Sequence, residues 1–541
     1  MKNIKKYFKI RYAILLMLAL FLVISSCEEY LEDELKSDIS VDFLYNSQEG
    51  LENAVVGLYT INRDIYTKGA MENDAEALVP QSRSDLVLGY TSGHLSFFAR
   101  LGWGVLQTSY GTVKTDHYWK YYYRIIDRSN AIIEAADNVE FTDEATKNRI
   151  LGEAKCWRAH SYFTLYRMFN NIFITTTPTT PENAFDKPDN KASETEIFNL
   201  LNNDLDDAIA NLDWTTTQFG RWTKASAHHL KAKVAMWEEK PDVAAFHCDE
   251  VINNPNYGLL TSTGAVFDGD LNHKESLFVV QFKDEAIGGG SKNLMNFHLL
   301  PRYNDLPGLK LSIENGGRGL GTLTMNQYLR NLLKEDPNDD RDDGNYYITT
   351  YRYNDVDNLP AGKNVGDPVT YPSEFPTTGT AAQKTAERNL FYRNLNPGCI
   401  KFRQEDGDPS EASMISNVMV YRLAETYLIA AEAYMATNPT KSLGYLNAIR
   451  TRAKAAPRTA AVDMQAIMDE RARELAFEGQ RFYFIKRIGK YYDQIKNYAG
   501  NDLSNSQARD RVEPHLENWP IPIAELNLLG PNYPQNDGYP E

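Results

Sequence analysis

Apolar positions recur at three- and four-residue steps over two long stretches of the chain. From Thr142 they fall at Ile150, Leu151, Ala154, Trp157, Tyr162, Leu165 and Phe169. That is the stripe of an amphipathic helix. Tyr118 to Ala136 reads the same way through Tyr122, Ile125, Ile126, Ile132 and Ile133. Ser193-Glu194-Thr195-Glu196 has the spacing of a capping box, and Ile197, Leu200, Leu201, Leu205, Ala208 and Leu212 follow it as another stripe. Further helices are expected over 224–238 and 241–252, the second opened by Pro241, whose missing N–H costs nothing at a first helical position. The pattern returns over 418–434, 441–453 and 464–478, with Gly479 placed to cap the last. Helix pairs of roughly 34 residues suggest tetratricopeptide-like units, which bury their apolar faces only by stacking.

Between these runs, residues 257–416 lose the helical period. Glu275 to Phe282 is a strand candidate, followed by glycine pairs, prolines and many tyrosines. Long irregular stretches in a compact protein are uncommon and usually functional. The expectation is a mainly α protein: a scaffold of helix pairs carrying a loop-rich insertion with a few short strands. The divisions are an N-terminal helical part over 41–256, the insertion over 257–416 and a C-terminal helical part over 417–541. A second irregular stretch, 80–115, interrupts the N-terminal helices.

The first residues follow a different pattern. Lys2, Lys5, Lys6, Lys9 and Arg11 precede an apolar run from Ala13 to Ile24, and no acid appears before Glu28. A basic head, a short apolar stretch and small residues describe a secretory signal over 1–26. A membrane-spanning helix needs about 20 apolar residues, so an uncleaved span fits less well. Ile24-Ser25-Ser26-Cys27 resembles a bacterial lipobox, which would make Cys27 the acylated first residue of a tether over 27–40. Several acyl chains hold a protein far better than one. Glu28-Glu29 resembles a lipoprotein surface-export signal of the Bacteroidota.

The whole chain carries a net charge of −16. Removing residues 1–26 takes away five basic residues and no acid, which makes the body more negative still. This speaks against nucleic acid and against binding to anionic lipid. Apart from Cys27, the cysteines are Cys156, Cys248 and Cys399, widely spaced and without a CxxC. A disulfide framework and a zinc site are not expected, and no cofactor is implied.

Several groups invite a chemical reading. Glu425 and Glu432 share a helical face, as do Glu470, Glu474 and Glu478. Paired carboxylates can be the acid and base of a glycosidase. Arg422, Arg471, Arg473 and Arg481 lie among them, and ion pairing is the simpler account. His228 and His229 are adjacent, so on a helix they point about 100° apart and do not chelate together. Asp336, Asn338 and Asp340 imitate the start of a calcium loop. Arg341 stands where that loop needs glycine and no glutamate closes it, so an acidic turn is favoured. Trp103, between Gly102 and Gly104, is the tryptophan that lies in an irregular stretch. It could present a stacking face or plug an apolar gap. Tyr90, Phe97, Phe98 and Tyr110 share its loop, with Arg83 and Asp85 as hydrogen-bonding candidates. Tyr303, Tyr346, Tyr347, Tyr351 and Tyr353 are candidates from the insertion.

The C-terminal words Arg422-Leu-Ala-Glu-Thr-Tyr-Leu-Ile-Ala-Ala-Glu-Ala433, Leu446-Asn-Ala-Ile-Arg-Thr-Arg-Ala453 and Glu470-Arg-Ala-Arg-Glu-Leu-Ala-Phe-Glu-Gly-Gln-Arg-Phe482 come in order. Trp519-Pro-Ile-Pro522 and Gln535-Asn536 follow. Upstream stand Asn130-Ala-Ile-Ile133, Glu153-Ala-Lys-Cys-Trp-Arg-Ala159 and Gly220-Arg-Trp-Thr223. Together these words resemble the SusD/RagB family of outer-membrane nutrient-binding lipoproteins. The resemblance implies a non-catalytic surface protein that binds oligo- or polysaccharides, or peptides in some members. It implies a partner, a SusC-like TonB-dependent barrel, over which the protein acts as a lid. It places the ligand site on aromatic loops rather than on the shared helices. A surface glycan hydrolase and a pure assembly scaffold are the readings from other classes.

Overall fold

A computed structural model describes residues 41–67, 76–89, 109–188, 190–283, 292–342, 344–370, 380, 382–383, 390–500 and 507–540. The lipobox with Cys27, and Tyr90, Phe97, Phe98 and Trp103, lie outside these residues. The main elements are helix α1 (Gln48–Thr67), strand β1 (Val87–Gly89), and helices α2 (Ser109–Ala135), α3 (Glu144–Phe169), α4 (Glu194–Asn211), α5 (Lys224–Trp237) and α6 (Pro241–Ile252). Strands β2 (Ser276–Val280), β3 (Leu323–Met325), β4 (Tyr347–Ile348), β5 (Gly398–Cys399) and β6 (Val418–Arg422) belong to the middle of the chain. Helices α7 (Leu423–Ala433), α8 (Pro439–Arg452) and α9 (Met464–Leu475) follow.

Side-chain caps fix where the helices begin. Asp143 accepts the Thr146 N–H at 2.7 Å to start α3. Ser193 and Glu196 form the reciprocal capping box of α4, Thr223 and Ser226 that of α5. Asn438 and Asp463 cap α8 and α9. Each cap satisfies one of the N–H groups that a helix start leaves without a partner.

The helices stack in chain order. From α2 to α6 each packs on the next, α6 packs on α7, and α7 packs on α8 and α9. The stack therefore continues across the whole insertion, because α6 and α7 are neighbours in space. The insertion's flanks also meet: β2 and β6 pair antiparallel, with Phe278 opposite Tyr421 and Val280 opposite Val418. An aromatic knot ties this sheet to the N-terminal helices. Trp157 of α3 meets Tyr59 of α1 at 5.1 Å, and Trp222 and Phe278 at 5.5 Å each, edge to face. Trp222 lies flat on Phe278, 4.3 Å between ring centres.

Two expectations are corrected. The run 418–434 is not one helix: Val418–Arg422 is a strand, and α7 starts at Leu423. Its valines and Tyr421 suit a strand, and the buried partner β2 decides the matter. Gly479 does not cap α9, which ends at Leu475. Buried cations meet its last carbonyls instead. Lys401 donates to the carbonyls of Glu474 and Ala476 at 2.7 and 3.0 Å, and Arg422 to that of Glu474 at 2.7 Å. Gly479 supplies a left-handed residue, φ +81°, in the turn beyond.

Candidate functional site

The last described residues before Trp103 form β1. That strand pairs antiparallel with β3 of the insertion, Gly89 opposite Leu323 and Val87 opposite Met325. Asn326 locks the junction. Its amide donates to the carbonyls of Asp85 at 2.6 Å and Tyr498 at 2.8 Å, while its oxygen caps the helix that follows. Tyr328 and Tyr498 stack beside it at 4.1 Å, and Tyr498 is 39% exposed. The strand that precedes residues 90–108 is thus held on the insertion, beside an aromatic pair.

Asp85 is part of this junction rather than a surface hydrogen-bonding group. It is fully buried, and Arg481 grips both its oxygens at 2.8 and 2.6 Å. Arg83, also buried, donates to the Tyr491 hydroxyl at 2.6 Å and to the carbonyl of Leu516. Tyr303 and Tyr351 stack on each other at 5.2 Å inside a small apolar cluster of the insertion with Leu300, Ile348 and Ile400. Neither shows a ring face to solvent, since both are 1% exposed or less. Tyr353 packs on the edge of that cluster. Tyr346 and Tyr347 are buried, donating to Glu474 Oε1 at 3.1 Å and to the carbonyl of Arg473 at 3.2 Å. The insertion's tyrosines resemble loop aromatics in sequence because their partners are distant along the chain.

The candidate carboxylates are consumed by cations. Glu474 sits among Arg341 at 3.0 Å, Arg422 at 2.6 Å and Arg452. Glu470 binds Arg341, Arg450 and Arg473; Glu478 binds Lys401 and Arg422. Glu425 holds Lys233, Arg471 and His229, and Glu432 holds Arg487. Burial alone would raise Glu474 and Glu425. The surrounding cations outweigh it and hold both carboxyls well below the usual range. A general acid needs the opposite shift. Sequence reasoning paired these glutamates with helix arginines and missed Glu275, Arg341 and Lys401, which enter from the insertion.

The acidic turn places its oxygens on different partners. Asp336 accepts the N–H groups of Asn338 and Ala456 at 3.0 and 2.6 Å, and Asp340 binds Thr263 and Lys454. Asn338 is exposed. Asp339, between them, holds Arg341. Cys156, Cys248 and Cys399 are free and buried, and burial pushes their thiols up. His228 meets His247 of α6 at 2.8 Å, and His229 turns to Thr426 and Glu425.

One surface groove was not visible in sequence. About 290 Å³ in volume, it is lined by Thr216, Phe219, Asn256, Tyr257, Asn272 and Lys274, among others. Its walls come from the turn before α5 and the segment between α6 and β2, which no local pattern joins.

Comparison with known proteins settles the class. Residues 274–539 match the family model described as SusD family, and residues 29–236 match the one described as starch-binding associating with outer membrane. The chain belongs to the SusD/RagB family. SusD-like protein P25 of Formosa agariphila is 25% identical over 94% of this chain and 95% of its own length. The starch-binding protein SusD of Bacteroides thetaiotaomicron is 32% identical over 25% of this chain and 24% of its own. Among solved structures, a laminarin-binding SusD-like protein superposes with a TM-score of 0.67 at 23% identity, covering 92% of this chain and all of that one. A SusD homologue from B. thetaiotaomicron reaches 0.71 at 18% identity, over 93% and 99% of the two chains. SusD-family proteins bind glycans without cleaving them, which agrees with carboxylates spent on ion pairs.

Proposed function

We propose that this protein is a cell-surface lipoprotein, acylated at Cys27, that binds oligo- or polysaccharides and passes them to a SusC-like TonB-dependent barrel of the outer membrane. The observation that carries the reading is family membership across both halves of the chain. Laminarin and starch, the ligands named for two of the similar proteins, support carbohydrate as the cargo. Trp103, with Tyr90, Phe97 and Phe98, offers the aromatic faces that cover sugar rings, on the segment that follows β1, a strand held by β3 and Asn326. Asp85, Tyr303 and Tyr351 act from below, holding that strand and the insertion in shape. A few polar groups orient hydroxyls in such sites. Tethering beside a transporter raises the effective concentration and offsets weak single-site affinity.

Affinity electrophoresis of the body starting at Glu28, through gels containing plant, host and microbial polysaccharides, tests this. One glycan class is expected to retard the protein, and Trp103→Ala to abolish the retardation. Retardation that survives Trp103→Ala moves the site, with the groove at Phe219 and Tyr257 next in line. A protein that no glycan retards and a peptide mixture does is a peptide importer instead.

A further inference from the structure

A cavity of about 70 Å³ lies where α1, α2 and α3 meet β6 and the turn after α9. Tyr66, Tyr122, His160, Arg167, Tyr421 and Tyr483 contribute to its wall. A smaller cavity of about 30 Å³ shares Arg167 and Tyr483 and adds Lys233, Arg471 and Arg487. The interior is rich in cations although the chain is strongly acidic overall.

Arg167 distinguishes the place. It is 3% exposed and sits between the rings of Phe163 and Tyr483, 4.1 Å from each centre. Its Nε donates to the Phe163 carbonyl at 3.1 Å and its Nη2 to Thr164 Oγ1 at 3.3 Å. Among the described residues no carboxylate pairs with it. The carboxylates here are already engaged: Glu478, in the wall of the larger cavity, by Lys401 and Arg422, Glu425, in the wall of the smaller, by Lys233 and Arg471, and Glu432 by Arg487. A buried charge left without a counter-ion is strongly unfavourable. Its field reaches the groups around it. Burial pushes His160 down to about 3, and Arg167 and then Lys233 add to the shift. Burial likewise lowers Lys486 to about 7, with Arg167 and Arg83 contributing and Glu517 opposing.

Donors converge on the same space. Among the described residues, the hydroxyls of Tyr66, Tyr122 and Tyr483 have no hydrogen-bond partner, nor does Arg167 Nη1. The three phenols are close enough to feel one another's charge. Tyr122 and Tyr483 are buried and Tyr66 is half-buried, and donors at such positions seek acceptors. A site of this volume has room for about two waters, comparable to the space that a carboxylate group or a small tetrahedral oxyanion takes. The overall negative charge does not forbid one, because exposed charges are screened over about 10 Å while buried ones are not.

We propose that this cavity is an oxyanion site, with Arg167 as the counter-charge and the hydroxyls of Tyr66, Tyr122 and Tyr483 as donors. The anion is either inorganic, as phosphate or sulfate, or the carboxylate of an acidic sugar. The proposal stands apart from the glycan reading and from the 90–108 segment.

The test titrates the body starting at Glu28 with sodium sulfate, sodium phosphate and sodium glucuronate, each against sodium chloride at matched ionic strength. Calorimetric heat and the thermal midpoint are read. At least one oxyanion is expected to give saturable heat and a saturable rise in the midpoint that chloride does not reproduce. A Tyr66→Phe/Tyr122→Phe variant should keep its midpoint in chloride and lose affinity at least tenfold; Arg167→Met should lose the saturable response altogether. Saturation by sulfate or phosphate identifies an inorganic anion, and by glucuronate alone the sugar acid. A rise that grows linearly with salt and is equal in all variants overturns the proposal. So does a crystal structure in saturating sulfate, phosphate and glucuronate that shows only water beside Arg167. Retention of polysaccharide binding in these variants separates failure here from failure of the glycan reading.

Discussion

Glu474 shows how a residue that looks catalytic in sequence becomes structural. Three buried guanidiniums share its carboxylate, and those guanidiniums come from the insertion, β6 and α8. Removing one partner of a buried ionic web is strongly destabilising. Glu474→Gln is therefore expected to cost about 3–5 kcal/mol in urea denaturation. A pure protein that hydrolysed a glycan, and stopped doing so on this substitution, would overturn the structural assignment. The buried histidines set the pH response. Burial pushes His160 and His228 down to about 3 and His247 to about 4, from an ordinary 6.5. Groups depressed in this way favour folding in full above pH 6.5 and lose that contribution as pH falls toward the folded values. For His160 alone the loss is about 1.4 kcal/mol per pH unit below 6.5. Glu474 and Glu425, also depressed, add a second loss only below about pH 4.5. Unfolding free energy measured at pH 7 and 5.5 should fall in the natural protein and fall less in His160→Gln.

At the scale of elements, the words shared with the family mark junctions. Gly220, in Gly220-Arg-Trp-Thr223, has φ +89°, and a Cβ there would stand 2.8 Å from the Val279 carbonyl oxygen and 2.7 Å from the Gln281 amide. The turn before α5 rests directly on β2. Gly220→Ala should cost about 1–3 kcal/mol, by backbone strain together with the clash, and thermal unfolding measures it. Helix starts were legible because caps are local: Ser193 and Glu196 are three residues apart. Helix ends and strands were less so. Val418–Arg422 extended a helical pattern until β2 claimed it, and α9 stops early because Lys401, more than seventy residues upstream, takes its carbonyls.

At the scale of the molecule, the insertion is fastened by charge as well as by apolar contact. Arg341, Lys401 and Glu275 all reach the acidic and basic faces of β6, α8 and α9. The strand β1, which precedes the segment proposed to bind ligand, is paired to this fastened body, and the tether of the proposed anchor lies before residue 41. If Cys27 carries that anchor, Cys27→Ala should move the protein from the detergent-soluble membrane fraction to the aqueous one with its thermal midpoint unchanged. A variant that stays with the membrane would count against acylation there.

Sequence alone determined the mainly helical class, most helix starts and the family. Helical period, caps and ordered motif words are local signals that survive without coordinates. It also paired the motif glutamates with cations, since both kinds of residue stand in the same words. Tertiary structure decided what is buried. Asp85, Tyr303 and Tyr351 looked like surface candidates and are held inside, because Arg481 and the insertion's own cluster lie far away along the chain. The groove at Phe219 and Tyr257 and the cavity at Arg167 likewise exist only where distant segments meet. Charge left uncompensated in a folded interior is a property of the neighbours, and the sequence does not say who they are.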